Sequence, residues 1–248
     1  MTSYQTPSVH ACPCCDAFFL RRRLRSANSF GTQDWSDAKP TMSWRQEPLV
    51  RCKACAALFW LDDIEPVGIM PQRPREIGRF TRAWLRWRGD PEGQLQDQEE
   101  WSQAMESWGD AQYIGSVSFD DVQYVLARSK GVRRDQLLWL RNRIWWGLND
   151  RYRCRSDGSP LSDVPTWPLA LERTNMEVIL DILRDGEVKP WNMVQQGELL
   201  RLLGRFDEAI AVLKAVPADG YSEVRAVKIE SLARRGDMQV RELSPRTW

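Results

Sequence analysis

Histidine is almost missing from this chain: His10 is the only one in 248 residues. A single imidazole excludes catalysis by a histidine pair and the H-E-x-x-H metalloprotease site. The G-x-x-x-x-G-K-[ST] phosphate loop and the G-x-S-x-G nucleophile elbow are also absent. No run of 18 apolar residues occurs, so no membrane-spanning helix is expected. The opening "MTSYQTPSVHACPCC" lacks the basic, then apolar, then small pattern of a signal peptide, and a cytoplasmic protein is expected. His10 falls in this stretch, which reads as a flexible tail. The net charge of +1 rules out a chain-wide polyelectrolyte and any global pull toward nucleic acid or membrane. Carboxylates are common, but nothing marks one pair as an acid/base couple. The expectation is a protein that is not an enzyme.

Cysteine is scarce too, and five of the six are gathered into two short stretches. "CPCCDAFF" and "CKACAALF" align without a gap: Cys12 on Cys52, Cys15 on Cys55, Phe19 on Phe59. A C-x-x-C turn aims two thiolates at one point, and two such turns supply the tetrahedral set that structural zinc prefers. Four thiolates leave no open position for a catalytic water. Clustered spacing also fits a reducing compartment better than a disulfide framework does. The spacing therefore predicts one structural Zn²⁺ on Cys12, Cys15, Cys52 and Cys55, with Cys14 surplus and His10 a bystander. The pattern resembles a zinc ribbon, over about residues 8–65. The 36 residues between the knuckles exceed what a compact ribbon needs, and "SANSFGTQDWSDAKPTMSW" reads as an extended hairpin loop. The run "LRRRLR" offers arginines to nucleic acid, or equally a solvated face that offsets the thiolate charge.

"EPVGIMPQRPRE" has three prolines and a glycine, and reads as the end of the ribbon. Beyond it the apolar spacing becomes helical. Ser118 with Asp121 approaches a capping box ahead of the stripe Phe119, Val122, Val125 and Leu126. Leu137, Leu140, Ile144 and Leu148, with Trp145 beside them, form a second stripe. Met176, Ile179, Leu180 and Leu183 form a third. In "GELLRLLGRFDEAIAVLKAVP" the residues Gly197, Leu200, Gly204, Phe206 and Ala209 fall at tetratricopeptide spacing, which this segment resembles over about 190–217. Shifted by 32 residues, Glu198, Leu200 and Gly204 fall on Glu230, Leu232 and Gly236, a second copy without its partner helix. Ribbon and repeat together are similar to bacterial proteins of unassigned function. The fold class expected is α+β: a small β zinc ribbon at 1–65, a linker and Trp-rich charged segment at 66–117, and an antiparallel, tetratricopeptide-like helical domain at 118–248.

Charge is sorted along the chain. Residues 73–88 hold six Arg and one Glu, residues 89–127 hold nine acids and no Lys or Arg, and residues 128–155 hold nine basic residues against two acids. The acidic block either lies against its own basic flanks or docks a partner of opposite sign. Glu99, Glu100, Trp101 and Trp108 are the candidate partner-binding residues within it, and Trp84 and Trp87 stand in the basic flank. Cys154 sits between Arg153 and Arg155, which could activate its thiol. With no second histidine to act as base, it reads as a helix-end cysteine. The expected function is protein interaction through the helical domain, as an adaptor or an immunity-type inhibitor of a basic toxin. The alternative is a nucleic-acid-binding regulator that uses the ribbon's arginines.

Overall fold

A computed structural model describes residues 3–22, 24–26, 34–40, 47–74, 92–128, 130–154, 159, 161, 164–218 and 220–243. The chain divides into two compact units, Met1–Phe30 with Ser43–Val117 and Gly31–Met42 with Ser118–Trp248. The fold is α+β, with small strand sheets ahead of packed helices. No helix among the described residues is long and apolar enough to cross a membrane.

The first unit is built on a repeated hairpin. β2 (Ser8–Ala11) pairs with β3 (Phe18–Arg21), and β5 (Leu49–Arg51) pairs with β6 (Leu58–Trp60), both antiparallel. The registers are equivalent: His10 opposes Phe19 as Val50 opposes Phe59, and Ala11 opposes Phe18 as Arg51 opposes Leu58. The repeat seen in the cysteines thus extends through both strands. His10 stands where the second copy has Val50. It is buried and lies parallel to the Phe19 ring, with centroids 5.5 Å apart. The expected flexible tail is therefore a core strand. Phe19 and Phe59 meet with centroids 5.6 Å apart among Cys12, Val50, Cys52 and Leu61.

Backbone pairing continues into the proline-rich stretch. Val67 N–H donates to Val9 O at 2.8 Å and Met70 N–H to Pro7 O at 2.9 Å. These bonds bring β7 (Gly68–Ile69) to one edge of a four-stranded sheet in the order β7-β2-β3-β8, where β8 is Gln112–Tyr113 and runs parallel to β3. β1 (Ser3–Tyr4) pairs with β4 (Leu24–Ser26) separately. Helix α1 (Glu92–Trp108) belongs to this unit as well.

The second unit contains α2 (Phe119–Ala127), α3 (Arg134–Asn149), α4 (Leu169–Arg184), α5 (Pro190–Leu202), α6 (Phe206–Lys214) and α7 (Tyr221–Arg234), each packed on the next. Ser118 and Asp121 complete the reciprocal capping box, at 3.0 and 3.1 Å. Met176, Ile179, Leu180 and Leu183 are buried, as their spacing requires. α5 packs on both α6 and α7. α5 and α7 end alike. Gly204 and Gly236 take φ +80° and +67°, a left-handed conformation that favours glycine. The next N–H then reaches back five residues, Arg205 to Leu200 O at 2.9 Å and Asp237 to Leu232 O at 3.1 Å. Ala209 is fully buried in the α5–α6 seam, and a Cβ on Gly197 would lie 2.4 Å from Leu213. Ala209→Trp is therefore expected to overpack that seam and lower stability by about 1–3 kcal/mol. An unchanged urea midpoint would remove Ala209 from the contact.

Residues 34–40, inside the segment expected as a hairpin loop, belong to the helical unit. This strap bridges Trp35 to Glu242, with Ser36 N–H to Arg241 O at 2.8 Å and Leu243 N–H to Asp34 O at 2.7 Å. α7, where the spacing predicts a second repeat copy without its partner helix, is followed by the extended residues 241–243, which pair with the strap. Trp35 and Val240 join the core formed by Leu199, Leu200, Ala209 and Ala233. Asp37, 1% exposed, takes both its carboxylate oxygens to Arg153 Nη2 at 2.5 and 2.6 Å and accepts from Asn149 Nδ2 at 2.9 Å. Trp146 Nε1 donates to Asp37 O at 3.0 Å. Arg225, also 1% exposed, pairs with Asp34 and donates to Trp35 O at 2.5 Å. Arg201 pairs with Glu198 at 2.6 Å and reaches Ser36 Oγ at 3.4 Å. Buried charges survive only when they are paired and hydrogen-bonded, and these are.

Candidate metal centre

Each C-x-x-C knuckle is closed by the same backbone bonds. Cys12 N–H donates to Ala17 O at 3.0 Å and Cys52 N–H to Ala57 O at 2.8 Å. Asp16 N–H donates to Cys12 O and Ala56 N–H to Cys52 O, both at 3.0 Å. The tight reversal puts Asp16 at φ 58° and Ala56 at φ 59°, left-handed values at matched positions. Two unrelated side chains share this conformation because the turn imposes it. The turns aim two thiols each toward one centre.

Across the knuckles, Cys12 Sγ lies 3.8 Å from Cys55 Sγ and Cys15 Sγ lies 3.8 Å from Cys52 Sγ. All four sulfurs fall within 4.8 Å of one another. Disulfides would need about 2.05 Å, so these are separate thiols. Tetrahedral metal–sulfur bonds of about 2.3 Å give sulfur–sulfur edges of about 3.8 Å. The donor set and its spacing fit a single tetrahedral ion. Cys12 and Cys52 are buried, whereas Cys15 and Cys55 are exposed. Cys14 is exposed and outside the cluster, although its backbone N–H donates to Cys12 Sγ at 3.5 Å.

The metal-free thiols have separated titrations. Burial pushes Cys12 up to about 12, against the N–H groups of Cys14 and Cys15. Burial also raises Cys52, but the N–H groups of Cys55 and Ala54 and the facing thiols bring it down to about 7. Facing thiols cannot all ionise cheaply without a cation between them. An ion at the centre removes that conflict.

The arginine run beside the first knuckle is partly committed within its unit. Arg21 pairs with Asp62 at 2.7 Å, and Arg22 lies 3.9 Å over the Tyr113 ring and 5.6 Å over Tyr4. Arg23 lies outside the described residues. Arg153, the neighbour of exposed Cys154, sends its guanidinium to Asp37.

Glu99 and Glu100 are exposed on α1, and Trp101 is half-buried. Trp108 is half-buried. Its ring fills the space over Gly68, where a Cβ would lie 2.3 Å away. Beside it runs a groove in two parts that share Phe18. One part, about 310 Å³, is lined by Phe18, Lys53, Asp110 and Tyr113. The other, about 300 Å³, is lined by Phe18, Met105, Glu106 and Trp108. Phe18, Met105 and Tyr113 are each about 40% exposed. Sequence reading missed this groove, since alternation on β3 alone does not say which face a later helix leaves open. Residues 75–88, with Trp84 and Trp87, lie outside the described residues. Compared with protein-family models, with curated proteins and with solved structures, the chain matches none.

Proposed function

We propose that the chain is a protein-interaction module that carries one structural zinc on Cys12, Cys15, Cys52 and Cys55 and binds a basic protein segment instead of turning over a substrate. Thiolate softness and tetrahedral spacing support zinc as the ion, and four protein ligands leave it no open coordination position. The observation that carries the binding role is the groove across Phe18. Its floor is exposed apolar surface, and carboxylates dominate its rim and the adjoining helix: Glu106 and Asp110 beside it, Glu99 and Glu100 further along α1. An apolar anchor flanked by Lys or Arg is complementary to that arrangement. A cationic toxin held by an immunity-type inhibitor would meet this chemistry, and so would the basic client of an adaptor. The docking surface lies in the unit with the cysteines, since α1 belongs there.

The experiment uses the partner recovered from the native host and then purified. Reversing Glu99 and Glu100 to Lys should slow association about tenfold and flatten its salt dependence, with little effect on stability. Phe18→Ala should speed dissociation instead, as loss of a central apolar contact does. Unchanged kinetics in both variants would place the interface elsewhere. Trp108→Ala is a poor probe, because loss of its packing on Gly68 would weaken the unit itself.

A further inference from the structure

The strap Asp34–Lys39 lies in the chain between Cys15 and Cys52, yet its side chains are seated in the helical unit. The seat is specific. Arg153, Arg201 and Arg225 come from three places in that unit and meet Asp37, Ser36 and Asp34. Arg225 also binds the Trp35 and Ser36 carbonyls, at 2.5 and 3.3 Å, and Lys39 holds Asp150 at 2.5 Å. This is the manner in which a receptor holds an extended peptide, through main-chain carbonyls and a few charged side chains. The peptide here is internal, and the elements on either side of it, β3 and β4 before and β5 after, belong to the unit that carries the cysteines.

From this path we infer that the strap is a metal-gated latch: filling the four-cysteine site holds residues 34–39 in their seat, and emptying it lets them lift more often. The inference rests on the metal reading above. When the cysteine unit is folded, Val117 N–H donates to Glu47 Oε2 at 3.3 Å within it, which shortens the path along the chain from the strap to Ser118. When that unit loosens, the strap is tethered to Ser118 only through a long chain. Loop closure follows the logarithm of loop length, and an effective loop about fivefold longer makes reseating about tenfold less favourable. Linkage makes the effect reciprocal, so a lifted strap weakens metal binding by the same factor.

Amide hydrogen exchange on the full chain, zinc-loaded against chelator-stripped, reads the latch directly. The Ser36 and Leu243 N–H groups, bonded to Arg241 O and Asp34 O, should exchange about tenfold faster without metal, while α4 amides stay unchanged. Asp37→Asn should weaken zinc binding by up to about tenfold in competition with a chromophoric chelator. Metal analysis comes first: a chain that takes up no zinc overturns the metal reading and the latch together. Zinc binding with unaltered exchange at Ser36 and Leu243 overturns the latch alone. Acceleration that includes α4 equally also overturns it, since that is global unfolding.

Discussion

Cys12→Ser combined with Cys52→Ser should abolish metal binding and unfold the cysteine unit, a loss on the order of 10 kcal/mol. The effect is large because the unit's apolar core is small, and these two sulfurs lie inside it beside Phe19 and Phe59. Cys15→Ser should lose the metal too, whereas Cys14→Ser should keep it, because the Cys14 thiol is not part of the cluster. Elemental analysis of the purified variants should give about one zinc per chain for wild type and Cys14→Ser, and none for the others. Retention of zinc by the double variant would discard the site. Acidity should act in the same direction. Zinc takes thiolates, so each proton it must displace lowers apparent affinity about tenfold per unit fall in pH. Cys12, pushed up to about 12, and Cys15, also raised, each contribute such a proton throughout the neutral range, and Cys52 adds another below about 7. Zinc affinity should therefore fall as pH falls, and more steeply below about 7.

Asp37→Ala should destabilise the helical unit by about 1.5–3 kcal/mol, because it leaves the buried Arg153 Nη2 without its carboxylate, while Nη1 keeps Asp150 at 2.9 Å. Both partners are almost wholly enclosed, with side-chain exposures of 5% for Arg153 and 0% for Asp37, so water cannot replace the lost carboxylate. Thermal and urea unfolding of the variant measure it. Arg153→Met in the Asp37→Ala background should recover part of the loss, since it removes a guanidinium left with half its partners while Asp150 keeps Lys39. Equal stability of wild type and Asp37→Ala would mean that the pair is not buried in solution.

The metal site was legible because its chemistry is local. C-x-x-C fixes two sulfurs within one turn, and the internal alignment of Cys12 with Cys52 carried the second turn with it. Helix stripes such as Met176, Ile179, Leu180 and Leu183 were legible for the same reason: 3.6-residue periodicity is written in neighbouring positions. The strap was not. "QDWSDAK" has the composition of a surface loop, and what buries it is Arg153, Arg201 and Arg225, residues far along the chain that look like solvated helix charges in isolation. His10 misled in a similar way. Its burial follows from standing opposite Phe19, a register visible only once Val50 and Phe59 are seen to repeat it.

The strap also orders events in time. Asp34 binds Arg225, which follows it by 191 positions, and Ser36 and Asp34 bond to Arg241 and Leu243, later still. A ribosome adds roughly 5–20 residues each second, so about ten seconds or more separate synthesis of the strap from synthesis of its seat. During that interval Trp35 and two carboxylates have no enclosure, and the knuckles on either side can already have closed on metal. The helical unit then completes itself around a segment made long before it. Contacts this distant in sequence slow folding, so the second unit should mature after translation, at a rate set by capture of the strap.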